Sequence, residues 1–331
     1  MLKRVFTAMV VMVSLLFASV SQAAGAWESY KARFLMPDGR IVDTGNKNVS
    51  HTEGQGFAML MAVANNDKAA FDSMWNWTNK TLKNKANGLF YWRYNPVEAD
   101  PIADKNDATD GDVLIAWALL KAGERWNNAA YLAASDAITQ AVLKHTVVSF
   151  AGYRVMLPGA NGFNLNTYVN LNPSYFIFPA WQAFAERSHQ VVWRDLIKDG
   201  QTLLGNMTFG KARLPTDWVS LSADGKLNPA KEWPPRMSYD AIRIPLYVSW
   251  QDPHSALLTP WRNWWQGFSR SQTPAWVDVA TNDNAPYNMN DGLLAVRDLT
   301  LGVTPAQPQI TAQDDYYSAS LKMLVWLAQQ R

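Results

Sequence analysis

The chain has 331 residues, 48% of them hydrophobic and 18% charged, with 30 basic against 28 acidic side chains and no cysteine. That balance offers no basic surface for nucleic acid and no acidic run for a cationic polymer, and the lack of cysteine excludes disulfides. At about 300 residues a single core buries enough surface to be stable without them.

Residues 1–23 read as a secretory signal peptide. Lys3 and Arg4 open it, Val5 to Val20 is apolar, and Ser21-Gln22-Ala23 places small residues at the cleavage positions. The apolar run is short for a membrane span, and no later segment is long enough for one. Removing Lys3 and Arg4 from the 30 basic residues leaves 28 against 28 acidic ones, so a neutral ligand is expected. The remaining chain, 24–331, shows no Pro/Ser-rich linker or low-complexity run and reads as one domain. A secreted or periplasmic location, with no membrane association after cleavage, follows from the leader.

Beyond the leader, four segments are apolar on nearly every face: Gly56–Asn65, Val113–Ala122, Tyr175–Ala185 and Leu321–Ala328. Helices of that kind are enclosed by protein or by membrane. Between them, Lys68–Leu82, Asn127–Lys144 and Trp193–Leu204 are amphipathic. Buried and half-exposed helices in alternation predict an inner ring wrapped by an outer one. His145–Leu157, β-branched and aromatic around Ala151-Gly152, predicts an inserted hairpin. Pro158–Asn172 reads as a connection, and Arg213–Arg236, with four prolines, as a long functional loop.

The candidate chemistry lies in three acidic motifs, each just before an apolar run. They are Glu53 in Ser50-His51-Thr52-Glu53-Gly54-Gln55-Gly56, the pair Asp110/Asp112 in Ala108-Thr109-Asp110-Gly111-Asp112, and Asp240 in Ser238-Tyr239-Asp240-Ala241-Ile242-Arg243. Each also has an ordinary structural reading: a first-turn acid, a helix cap, or an Asp240–Arg243 pair on one helical turn. If the starts of the inner helices gather on one face, three acids converge there. Glycoside hydrolysis needs one protonated carboxyl and one ionised carboxylate. Sixteen tryptophans add flat faces on which pyranose rings stack, although most indoles in any chain are packing residues. The four histidines, His51, His145, His189 and His254, show no ligand spacing, so no metal or other cofactor is expected, and His51 is assigned a surface or hydrogen-bonding role. No Gly-x-Ser-x-Gly elbow is present.

The stretch A-T-D-G-D-V-L-I-A-W-A-L-L-K-A-G-E-R-W, Ala108 to Trp126, closely resembles the characteristic motif of glycoside hydrolase family 8. Trp27-x-x-Tyr30-Lys31-x-Arg33-Phe34, T-E-G-Q-G-F-A-M around Glu53, Asn172-Pro173-Ser174-Tyr175-Phe176 and Y-D-A-I-R around Asp240 resemble further blocks of the family, in its order. Within it, the chain is most similar to bacterial endoglucanases encoded alongside cellulose synthase. The resemblance implies an all-α (α/α)6 barrel forming one catalytic domain, and an inverting endo-β-1,4-glucanase acting on a β-1,4-glucan polysaccharide. It implies Glu53 as general acid, Asp240 as general base and Asp110 as the residue that binds and distorts the sugar at subsite −1. Arg243, Tyr239, Tyr175 and Trp92 are the implied substrate-binding residues, and Asp112 is left with a structural role. A functional link to a cellulose synthase complex and a monomeric state are expected. The alternatives are the same fold acting on xylan, mixed-linkage β-glucan or chitosan, and a non-catalytic glucan-binding protein.

Overall fold

Eleven helices run through the residues described by the computed structural model, 25–303 and 307–330; the expected signal peptide and its cleavage point lie outside them. A helix over 25–34 (α1) is followed by α2 (Thr52–Ala64), α3 (Lys68–Thr81), α4 (Thr109–Arg125) and α5 (Ala129–His145). Then come α6 (Phe178–Ser188), α7 (Val191–Asn206), α8 (Arg243–Gln251), α9 (Thr259–Trp265), α10 (Asp291–Thr300) and α11 (Tyr316–Ala328).

Six of these close a ring. Helix α2 packs on α4, α4 on α6, α6 on α8, α8 on α10, α10 on α11, and α11 back on α2. The all-apolar segments supply α2, α4, α6 and α11 of this inner ring; α2 buries every residue from Gly54 to Val63. Outside it, α3 covers α2, α5 covers α4, α7 covers α6 and α9 covers α10. Each outer helix buries one stripe, as Phe71, Met74, Trp77 and Thr78 do on α3. Helix α1 joins the same layer, its Tyr30 hydroxyl sharing a hydrogen bond of 3.0 Å with Ser320 of α11. The architecture is an (α/α)6 barrel. Eight of the sixteen tryptophans are buried in it as packing residues.

Connections differ sharply between the two ends. Those leaving α2, α4 and α6 at their C-terminal ends are short: 65–67, 126–128 and 189–190. Those entering the inner helices are long, such as 35–51, 82–108, 146–177 and 207–242. All the strands lie in these long connections. Strands β1 (Ser50–His51) and β2 (Arg93–Tyr94) pair antiparallel in front of α2. The predicted hairpin is present as β3 (Val147–Phe150) and β4 (Tyr153–Met156), turned at Ala151 and Gly152 with φ of 48° and 84°.

The regions expected to be only connections carry more order than that. Strand β5 (Tyr168–Leu171) pairs with β6 (Val219–Ser222), and β6 with β7 (Leu227–Pro229). The sequence Val-Ser-Leu-Ser alternates buried and half-exposed positions along β6, a period-two signal that the surrounding prolines obscure. Short strands β8 (Arg236–Met237) and β9 (Val277–Asp278) complete the set.

Candidate active site

Because α2, α4, α6, α8, α10 and α11 all start at the end with the long connections, their first turns face a common cleft of about 510 Å³. Each contributes a lining residue: Glu53 from α2, Asp110 from α4, Tyr175 from the turn before α6, Arg243 from α8, Asn290 before α10 and Tyr317 from α11. Tyr239, Asp240, Trp92, His51 and Asp43 line it as well. All seven residues singled out from the sequence therefore meet in one place.

Two glycines let the acid-bearing helices start so close together. A Cβ on Gly56 would lie 2.5 Å from the Cβ of Leu114, and one on Gly111 would lie 2.0 Å from Oγ1 of Thr52. No side chain larger than hydrogen fits at either point without parting α2 from α4.

The three acids surround one guanidinium. Arg243, whose side chain is only 4% exposed, reaches Glu53 through Nη1 at 3.2 Å, and Asp240 and Asp110 through Nη2 at 3.0 and 3.7 Å. It also donates to the Tyr317 hydroxyl and the Ser174 hydroxyl, each at 3.0 Å. A buried arginine with this many acceptors stays charged and fixes the carboxylates as a set. Asp240 sits in the turn before α8. Its Oδ1 accepts from Arg243 and its Oδ2 from the Asn172 amide at 3.1 Å.

Asp110 does not cap its helix: α4 has no side-chain cap, and Oδ1 of Asp110 accepts only from the adjacent Gly111 amide at 2.8 Å. Burial, then the neighbouring charge of Glu53, push Asp110 up to about 7, against the pull of Arg243. Protons in such a cluster belong to the group, and one remains in it at mildly acid pH. Asp112, the second acid of the motif, is fully buried and turned away from the cleft. Its Oδ1 accepts the Phe90 amide at 2.9 Å and its Oδ2 has no partner. Burial drives it strongly towards the neutral acid.

His51 takes the hydrogen-bonding role of the two expected for it. Its Nδ1 accepts the Gly54 amide at 3.3 Å, capping α2, while Nε2 faces Asp43 at 3.4 Å. The same Nδ1 lies 4.0 Å from Glu53. Asp43 and Glu53 outweigh the desolvation of the ring, and the net shift is upward.

Trp92, Tyr239 and Tyr175 supply aromatic lining. Trp92 donates Nε1–H to Asp104 at 2.8 Å, and its carbonyl accepts the Thr52 amide at the start of α2. Tyr239, 40% exposed, offers its hydroxyl to Tyr287, and its carbonyl is held by Arg243 and Tyr317. Tyr175 is placed by a 3₁₀ turn, Pro173–Tyr175, that Asn172 caps. Asn172, Ser174, Tyr317, Asp43 and Asp217 were not assigned site roles from the sequence. Asn172 and Ser174 stand inside a block that was recognised, whereas Tyr317 and Asp43 lie in segments without any acidic-motif signal. Among the described residues no group of three or more His, Asp or Glu side chains is disposed to hold a metal ion.

Comparison with known proteins gives a consistent picture. A family model described as "Glycosyl hydrolases family 8" matches residues 2–331. The chain is 64% identical to an endoglucanase of Cellulomonas uda over 94% of its own length and 86% of that protein. The solved structure of endoglucanase Cel10 from Klebsiella pneumoniae, a family 8 glycosyl hydrolase, superposes with a TM-score of 0.92 at 69% identity, covering 92% of this chain and 99% of that one. Endo-β-1,4-glucanase CMCax from Acetobacter xylinum gives 0.89 at 40% identity, covering 94% and 98%.

Proposed function

The chain belongs to glycosyl hydrolase family 8 and is a glycoside hydrolase, and from that premise we propose that it is an endo-β-1,4-glucanase that cuts internal bonds of a soluble β-glucan with inversion. The observation that carries this reading is the single guanidinium of Arg243 bound at once to Glu53, Asp240 and Asp110 at the floor of an aromatic-flanked cleft. Neighbours bearing the name endoglucanase, at identities of 40–69%, support the substrate class.

The reaction distributes over the three acids by position. Glu53 gives its proton to the glycosidic oxygen as the bond to the anomeric carbon breaks. Asp240 takes a proton from a water that attacks that carbon from the opposite face. Glu53 ends ionised and Asp240 protonated, and exchange with solvent restores both. Glu53 and Asp240 bind different nitrogens of Arg243 rather than each other, which supports a separation that admits a water. Glu53 must carry a proton while Arg243 stands at 3.2 Å. The proton already held in the cluster through Asp110 supplies it once the sugar loosens that pair. Asp110, buried beside Glu53, is placed to bind the hydroxyls of the sugar being cleaved. Arg243 holds the set, and Tyr175, Tyr239 and Trp92 offer stacking surface.

Export to the periplasm or medium, action as a monomer and a partnership with a cellulose synthase complex complete the proposal. The test of the class is simultaneous viscometry and reducing-sugar release on carboxymethylcellulose. An internal cutter lowers viscosity steeply while few ends appear. Binding without any release of ends would instead make it a glucan-binding protein. Release from xylan, lichenan or chitosan but not from carboxymethylcellulose would move the substrate and keep the fold.

A further inference from the structure

Asp240 is a short side chain at the tip of a turn, and α8 behind it has no cap of its own: Ile242 at its N-cap makes no side-chain hydrogen bond. The cap arrives from elsewhere. Oδ1 of Asp217 accepts the backbone amide of Ser238 at 2.9 Å and that of Ala241 at 2.8 Å, bracketing Tyr239 and Asp240 from both sides. The amide of Asp217 in turn donates to the Arg236 carbonyl at 2.7 Å. Asp217 stands two residues before Val219, and Val219 pairs with Leu171 at the end of the β5–β6 ladder. Leu171 is followed directly by Asn172, whose amide holds the Asp240 carboxylate. One end of one strand pair therefore grips the base twice, at its backbone through Asp217 and at its carboxylate through Asn172.

We propose that Asp217 is a positioning residue for the general base and that the β5–β6 pair is the clamp through which it acts. The inference rests on reading Asp240 as the base. Asp217 is not among the residues that line the cleft; it acts on Asp240 from behind, through the backbone amides of Ser238 and Ala241. Burial and the charge of Asp240 also push Asp217 up to about 7, so that a neutral side chain can fill the role at acid pH. What the turn requires is a fixed acceptor at Oδ1.

The test compares Asp217→Ala, Asp217→Asn and Asp217→Glu with the wild type for kcat and KM on cellopentaose at pH 5.5, with Asp240→Asn alongside. Asp217→Ala is expected to lower kcat at least tenfold with KM within twofold. Asp217→Asn keeps the acceptor and is expected to return kcat to within threefold of wild type. Asp217→Glu carries the carboxylate one methylene too far and should lose kcat as well, which gives the same reading if the alanine variant does not fold. Wild-type kcat in Asp217→Ala or Asp217→Glu, an asparagine variant as impaired as alanine, or a loss confined to KM would overturn the proposal. Near-wild-type turnover in Asp240→Asn would instead remove the base assignment itself.

Discussion

Arg243 decides the behaviour of the site residue by residue. With three carboxylates on one guanidinium, changing one acid alters the ionisation of the others. Glu53→Gln and Asp240→Asn are each expected to reduce kcat by about 10²–10⁴-fold while the fold remains, as loss of an acid or base should. Purified variants with unchanged circular dichroism and near-wild-type turnover would contradict the assignments. The alkaline limb of kcat/KM is expected near pH 7, where Asp110 gives up the cluster proton. Replacing Asp110 with asparagine removes the group that titrates there, so the residual activity should lose its limb near pH 7. A limb that stays near pH 7 would show that a group other than Asp110 sets it.

Among the elements, α2 and α4 carry the greatest constraint, because Glu53 and Asp110 start on adjacent helices in contact. Gly111→Ala drives a methyl into Thr52, directly before Glu53. Overpacking of this kind costs about 1–3 kcal/mol, and thermal unfolding should register it together with a fall in kcat. Asp112, on the same turn, behaves in the opposite way. Its folded-state pKa is raised, so the folded protein holds that proton more tightly than the unfolded chain does. The stability it contributes is complete below the ordinary aspartate range and is lost as pH rises through the folded value. Asp112→Asn keeps the acceptor for Phe90 and removes the ionisation. The variant should therefore melt higher than wild type at pH 8, by on the order of 1 kcal/mol in stability, with little difference at pH 4. Equal melting at both pH values would mean that Asp112 titrates normally.

For the whole molecule, the sequence pattern was most telling where burial is complete. Segments such as Val113–Ala122 can only be enclosed helices, and their alternation with half-exposed ones such as Lys68–Leu82 describes two concentric layers. Helices α8 to α10 were less legible. They are short, and Pro245 and Pro260 interrupt their patterns. The β5–β6–β7 sheet was hidden because β5 and β6 are separated by two helices, and no local pattern announces a partner so distant. The same distance concealed Asp217 and the part Asn172 plays beside Asp240, whereas Glu53, Asp110 and Asp240 stood out as acids at helix starts. That all six inner helices point their first turns into one cleft follows from ring closure. In the proposed reaction a long glucan crossing that open end is cut internally, with the water on Asp240 and the departing oxygen on Glu53 at opposite faces of the sugar. Inversion is the most demanding consequence of this arrangement. It is read most directly by following the anomeric protons of the first products of cellopentaose hydrolysis by NMR. The α-anomer should appear first and equilibrate later; an initial β-anomer would contradict the roles given to Glu53 and Asp240.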